Sequence, residues 1–330
     1  MSFGGERMKK KKVIIGSGIA ATAAATVVGA ATWIIGGMVY DGTVGKKPSV
    51  KAKDMPTFYA EREDKVLETL DCYDHETVFV KSEVNDYDVE TLHIKSNQET
   101  SDTMIIVHGI GSNYHEVLNV AFNYLENGYN AVVYHQRNTG LTGGDNYTFG
   151  LYERFDLEAV AEYTRSLYKD GTLGVHGFSM GAATSAMHTE LNEQSKNVDF
   201  YILDAPYHTM ESAVELGIIA EDIPLLPVRF AKWAGNVVLK AKEDLTYDDI
   251  QPVNAVKNIT VPVLLIHGTE DKVTPPESSQ YIYDAIPHDN KELWYIEGLG
   301  HCEADSQMES EYFNHVYQFI NTHVKAENSL

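Results

Sequence analysis

The chain has 330 residues, 43% of them hydrophobic, a formal net charge of −22 at pH 7 and only two cysteines, Cys72 and Cys302. Length and apolar content fit one large α/β domain or two modest ones and exclude general disorder. The acidic balance excludes a polyanion-binding role, so no nucleic acid is expected as partner, and without a Cys-x-x-Cys pair a zinc ribbon or thioredoxin-type site is excluded too.

Residues 1–12 are basic and end in Lys9-Lys10-Lys11-Lys12. Residues 13–40 carry no charged side chain, a run longer than the roughly 20 apolar residues that span a bilayer. The lysines orient such an anchor with residues 41–330 outside, which describes a single-pass protein of the cell membrane with an extracellular domain. A cleaved secretory signal is the alternative, because Ala21-Thr22-Ala23 and Ala23-Ala24-Ala25 fit small-x-small cleavage sites. Within the same run, Gly16, Gly18 and Ala21 imitate the G-x-G-x-x-A dinucleotide fingerprint, with Asp41 downstream. Residues 19–40 lack the polar face that a helix resting on a sheet shows to water, so no cofactor is expected.

Residues 41–55 read as a tether, rich in Gly, Pro and Lys, and residues 56–330 as the domain. Phe58, Val66, Leu67 and Leu70 are spaced for a helix over about 56–70, and alternation at 76–82 and 88–95 predicts a β-hairpin. After it come short, continuous, branched apolar runs at 104–107, 131–134, 173–175, 200–203, 263–266 and 293–296, the pattern of strands covered on both faces. Helical segments near 114–127, 152–169, 180–194 and 308–325 alternate with them. The class is therefore α/β, a doubly wound and mostly parallel sheet. Residues 207–250 offer helical spacing and no strand, with Pro224 and Pro227 interrupting, and read as a helical cap.

Three segments carry the chemistry. Gly177-Phe178-Ser179-Met180-Gly181 follows a strand and has the G-x-S-x-G pattern of a nucleophile elbow. A free serine hydroxyl is a poor nucleophile and needs an imidazole, itself oriented by a carboxylate. Asp271 follows the strand at 263–267, and His301 lies in the loop between the last strand and the last helix. The N–H groups of Met180 and of Ile110, in His108-Gly109-Ile110-Gly111, are candidates for stabilising an oxyanion. Asp204, at the end of the strand after the elbow helix, is the rival acid but reads as structural. His108, His176 and His267 read as packed residues that orient loops; His93, His288, His315 and His323 read as surface or helix-face residues. No metal site has ligand spacing. Arg137 fits a loop-holding salt bridge better than a substrate carboxylate. Tyr207, Phe230 and Trp233 either line a substrate pocket or form the core of the cap. Cys302 reads as a small residue in a tight loop, and a Cys72–Cys302 disulfide is open in an oxidising compartment.

Over roughly residues 75–325 this order of elbow, H-G-x-G loop, late Asp and terminal Gly-His resembles the α/β-hydrolase superfamily. Gln136-Arg137-Asn138-Thr139-Gly140 and the loop His267-Gly268-Thr269-Glu270-Asp271 are similar to its prolyl-oligopeptidase-like and cell-surface esterase branches. His135 stands where many relatives carry aspartate. The resemblance implies a cofactor-free serine hydrolase acting on a small-molecule ester, with peptidase or amidase activity, or a catalytically idle surface-binding protein, as alternatives.

Overall fold

The computed structural model describes residues 26–47 and 65–325. The lysine cluster, the Gly16–Gly18 fingerprint, the small-x-small sites and Phe58 lie outside the described residues. In chain order the elements are α1 (residues 26–42), α2 (Lys65–Leu70), β1 (His75–Ser82), β2 (Tyr87–Ile94), β3 (Thr103–Val107), α3 (Leu118–Glu126), β4 (Asn130–Tyr134), α4 (Glu153–Leu167) and β5 (Leu173–Phe178). There follow α5 (Met180–Ser195), β6 (Phe200–Asp204), α6 (Met210–Ala220), α7 (Val228–Glu243), α8 (Pro252–Ala255), β7 (Val263–Gly268), α9 (Glu277–Ala285), β8 (Lys291–Ile296), α10 (Ala304–Gln307) and α11 (Glu309–Phe319).

The strands form one eight-stranded sheet in the order β1-β2-β4-β3-β5-β6-β7-β8. β1 and β2 pair antiparallel as the expected hairpin and β2 pairs antiparallel with β4; every later pairing is parallel. Strands β3 to β7 are buried along their whole length. Their side chains alternate between two apolar layers: Ile106, Ile202 and Leu264 face α3 and α11, whereas Ile105, Val175 and Leu265 face α4, α5 and α9. A continuous apolar run with period-2 alternation is what such double coverage requires. The chain winds from β3 to β4 in one direction and from β5 to β8 in the other, so the strand order reverses between β3 and β5. Ligands bind beyond the carboxyl ends of strands at such a reversal.

The cap consists of α6 and α7, joined to the sheet by a third apolar cluster that contains Met180, Tyr207, Val214 and Leu239. α1 lies on α7. A Cβ at Gly36 would fall 2.2 Å from the Ala234 carbonyl oxygen, so only glycine permits this approach. Val39 sits against Gly235, Tyr40 donates to the Glu243 carboxylate, and the Lys242 ammonium stands 3.8 Å from the Tyr40 ring centroid.

The structure bears on several expectations. Residues 41–47 are not a tether: Val44 is 1% exposed within the third cluster, and its carbonyl accepts the Tyr147 N–H at 3.0 Å. Of the expected membrane segment 13–40 only residues 26–40 are described, and among the described residues no helix is long and apolar enough to cross a membrane. Cys72 is exposed and Cys302 half-buried, and both are free thiols rather than a disulfide. His93, expected at the surface, is buried on β2 with its Nε2 2.8 Å from the Tyr168 hydroxyl.

Candidate active site

Ser179 sits between β5 and α5 with φ 54° and ψ −118°, outside the conformations that side chains favour. Two glycines make the turn possible. A Cβ at Gly177 would fall 2.4 Å from the Gly181 carbonyl oxygen, and one at Gly181 would fall 2.1 Å from that of Val107. The Ser179 N–H donates to the Asp204 carbonyl at 2.9 Å, which pins the elbow to β6.

The hydroxyl of Ser179 lies 2.8 Å from His301 Nε2, and His301 Nδ1 lies 2.7 Å from Asp271 Oδ2. Residues 122 and 30 positions apart thus form a continuous proton-transfer chain, with the imidazole tautomer assigned from its partners. Asp271 is held from every side. Its Oδ1 accepts the N–H groups of Val273 at 2.7 Å and Thr274 at 2.9 Å, while the Thr274 hydroxyl and His267 Nε2 approach Oδ2 at 3.0 and 3.2 Å. Burial by itself raises this carboxyl, but the bonds from His267, His301 and the Thr274 N–H outweigh it and hold the group well below the usual carboxylate range. It stays ionised wherever the neighbouring imidazole needs a counter-charge.

The loop after β3 passes directly over the serine: a Cβ at Gly109 would lie 3.3 Å from Ser179 Cβ. Its position comes from Gln136, whose backbone N–H donates to His108 Nε2 at 3.0 Å and whose side-chain amide donates to the His108 carbonyl. His108 Nδ1 meets the Gly109 carbonyl at 2.8 Å; burial pushes this imidazole down to about 3, so it stays neutral and can accept at Nε2. Ile110, in this loop, lines the same cavity as Ser179, and Met180 is the first residue of α5.

A cavity of about 360 Å³ opens here, lined among others by Lys46, Gly109, Ile110, Ser179, His301 and Cys302. No cap residue lines it, which corrects the expectation for Phe230 and Trp233. Those two rings pack on each other at 5.7 Å on α7, Trp233 half-exposed, while Tyr207 is buried against Phe149 in the third cluster. Arg137 does hold its loop, though not by a salt bridge. It donates to the Asn146 carbonyl and side chain at 3.0 and 3.1 Å, and its guanidinium stands 5.5 Å from the Tyr152 ring. Asp204 is separate from His301 and bonded to Tyr312. His135 pairs with Glu90 at 2.7 Å across β4 and β2, a buried partner for the residue that departs from the family pattern. Among the described residues no group of His, Cys, Asp and Glu side chains has metal-holding geometry.

Sequence reasoning missed three contributors: His267 as the second imidazole on Asp271, Thr274 beside it, and the arm that carries Lys46 to the cavity rim. The first was signalled by the i, i+4 spacing of His267 and Asp271.

The sequence family described as serine aminopeptidase, S33, matches residues 98–252 and 248–304. The uncharacterized protein YqkD of Bacillus subtilis is 28% identical over 249 residues, 74% of this chain and 79% of that protein. Alpha/beta hydrolase domain-containing protein 17C of Mus musculus is 27% identical over 172 residues, covering 51% of this chain and 48% of that one. Among solved structures, an esterase of Pyrococcus furiosus superposes with a TM-score of 0.62 at 24% identity, covering 77% of this chain and 94% of that chain. At that identity the likeness speaks for the fold.

Proposed function

The chain belongs to the serine aminopeptidase, S33, family of alpha/beta hydrolases and is a hydrolase, and from that premise we propose that it cleaves carboxylic esters through Ser179, His301 and Asp271. The supporting observation is the pair of contacts at 2.8 and 2.7 Å that join hydroxyl, imidazole and carboxylate.

As Ser179 Oγ attacks the ester carbonyl, its proton passes to His301 Nε2, and the new imidazolium is balanced through Nδ1–H by the Asp271 carboxylate. The carbonyl oxygen, now an anion, is met by the N–H groups of Ile110 and Met180; losing one such donor typically costs about 10²–10³ in rate. His301 returns the proton to the departing alcohol. A water molecule, deprotonated by the same imidazole, then attacks acyl-Ser179 and releases the acid, restoring the serine hydroxyl.

In the test, p-nitrophenyl acetate turnover is measured for the wild type and Ser179→Ala, together with labelling by a fluorophosphonate. Turnover and label should both vanish in the variant while the circular dichroism spectrum is unchanged; activity persisting in Ser179→Ala sinks the assignment. The family's description favours amide cleavage as a second reading. Aminoacyl p-nitroanilides run beside the esters decide between the two, because the same three residues serve either bond.

We also propose that sequence upstream of the part of α1 docked on the cap anchors the protein in the cell membrane with the hydrolase domain outside. Protease treatment of intact cells should digest the domain, and a domain protected until lysis contradicts this.

A further inference from the structure

We propose that His267 is a positioning residue of the ester-cleaving site: its Nε2–H donates to the Asp271 carboxylate oxygen that also holds His301, and by drawing charge from that oxygen it extends turnover toward acid pH. The inference rests on the reading of Ser179 given above. His267 lies in β7, four residues before Asp271, and both side chains are wholly out of water. Its Nε2 stands 3.2 Å from Asp271 Oδ2, and His301 Nδ1 stands 2.7 Å from the same atom. One carboxylate oxygen thus joins two imidazoles, and that of His301 reaches the serine.

The other ring nitrogen fixes the direction of this bond. His267 Nδ1 lies 2.7 Å from the hydroxyl of Ser279, a buried residue of α9. A hydroxyl donates as well as accepts, whereas an ionised carboxylate only accepts. The hydrogen facing Asp271 therefore belongs on Nε2, and Ser279 gives its own to Nδ1, a tautomer assigned from these partners. The opposite tautomer would aim a nitrogen lone pair at the anion with no water between them. Ser279, His267, Asp271, His301 and Ser179 form one hydrogen-bonded chain, anchored at its far end on α9.

During turnover the imidazolium of His301 is countered by Asp271. A second donor on Oδ2 weakens that counter-charge, so the coupled Asp271–His301 pair takes up a proton less readily. Burial raises the Asp271 carboxyl, and the bond from His267 is foremost among those that hold it well below the usual range. Other titratable groups surround the pair. Asp204 of β6, Asp305 of α10 and the Cys302 thiol are each pushed up by burial. Glu270, Lys272 and Glu277 are exposed, and His208 bonds Ser278 beside Ser279. Among the described residues none of these bonds the Asp271 carboxylate, so they act alike in wild type and in variants at 267.

The experiment uses the full-length protein, with kcat and KM for p-nitrophenyl acetate followed from about pH 5 to pH 9. His267→Phe removes the donor and keeps the ring, while His267→Gln places an amide N–H near the position of Nε2. In His267→Phe the acid limb of kcat/KM should move up by about one pH unit, the scale of one hydrogen bond to a charged group. On that limb the loss is about tenfold, carried by kcat rather than KM, and it fades toward the alkaline end. His267→Gln should restore the wild-type limb, and Ser279→Ala, which frees Nδ1, should move it upward by less. Nitrogen-15 NMR of labelled histidines in the wild type should show hydrogen on His267 Nε2. A bare Nε2, a limb unmoved in His267→Phe, or an equal loss at every pH overturns the proposal, the last marking a merely structural role. A His267→Gln limb displaced as far as that of His267→Phe overturns it as well. If His267→Phe fails to fold, Ser279→Ala decides, and an unmoved limb there is refutation. If the wild type hydrolyses no ester and takes no fluorophosphonate, the reading of Ser179 is what has failed, and the role of His267 falls with it.

Discussion

Replacing Asp204 with Asn separates the two candidate acids by their response to pH. Asp204 ends β6 with 2% exposure, its Oδ2 accepting the Tyr312 hydroxyl at 2.7 Å. That hydroxyl also meets His176 Nε2 at 2.9 Å, and His176 Nδ1 meets the Tyr124 hydroxyl at 2.9 Å, a buried polar chain running under the elbow. Burial pushes the Asp204 carboxyl up to about 7, with the Tyr312 bond opposing. The unfolded chain titrates near 3.9. Between these values the native state keeps a proton that the unfolded state releases, so stability falls as pH rises, by about 1.4 kcal/mol per unit. The penalty is absent below about pH 4 and complete above about pH 7. Asparagine, neutral throughout, removes it. Between pH 5 and pH 8 the stability of Asp204→Asn relative to wild type should therefore improve by roughly 3 kcal/mol, read from urea denaturation followed by fluorescence. Ester turnover should stay within a few-fold of wild type, because the Asp204 side chain makes no hydrogen bond to His301. Parallel pH slopes for the two proteins would refute the claim that this carboxyl is held neutral.

Asp271→Asn should behave in the opposite way, with folding retained and kcat lowered by about 10⁴, the scale seen when the imidazole loses its orienting carboxylate; a loss under tenfold in steady-state kinetics contradicts the role given to Asp271. Gly177→Ala should cost several kcal/mol or leave the protein insoluble, because its Cβ meets the Gly181 backbone at 2.4 Å rather than a side chain able to turn aside; a wild-type melting temperature refutes the packing argument. Val44→Asp buries an unpaired carboxylate at a position 1% exposed and should release the arm. Amide exchange at Tyr147, whose N–H bonds the Val44 carbonyl, should then accelerate, and unchanged exchange would show that the arm is not held there.

The elements that position the site were legible because their signals are local. Short, continuous apolar runs mark β3 to β7, and Ser179, Asp271 and His301 each follow a strand end, where a parallel sheet presents its loops. Residues whose roles depend on distant partners were not legible in the same way. Arg137 was expected to find a carboxylate and found the Asn146 amide and two tyrosine rings, a choice made by a loop whose course no periodicity encodes. Phe230 and Trp233 were candidates either for the pocket or for the core of the cap. The helix that carries them packs against α1 through Gly36 on Ala234, a contact between segments far apart in the chain that the sequence cannot reveal. Asp204 and His176 were read as structural, and the shared link through Tyr312 that holds them joins residues more than a hundred positions apart.

On the anchoring proposed above, the charge-free run of residues 13–40 would serve two purposes that its composition alone does not separate. From Thr32 onward the apolar character serves the protein: Thr32 is 7% exposed, Gly36 and Val39 meet α7, and Val44 closes the third cluster. Under the anchoring proposed above, the span has to come from sequence at residues 13–31, close to the roughly 20 residues that cross a bilayer. Anchor and dock are compatible only if the bilayer ends close to the start of the docked turns. Trp33, 55% exposed, stands at that junction, the depth at which tryptophan is enriched in membrane proteins.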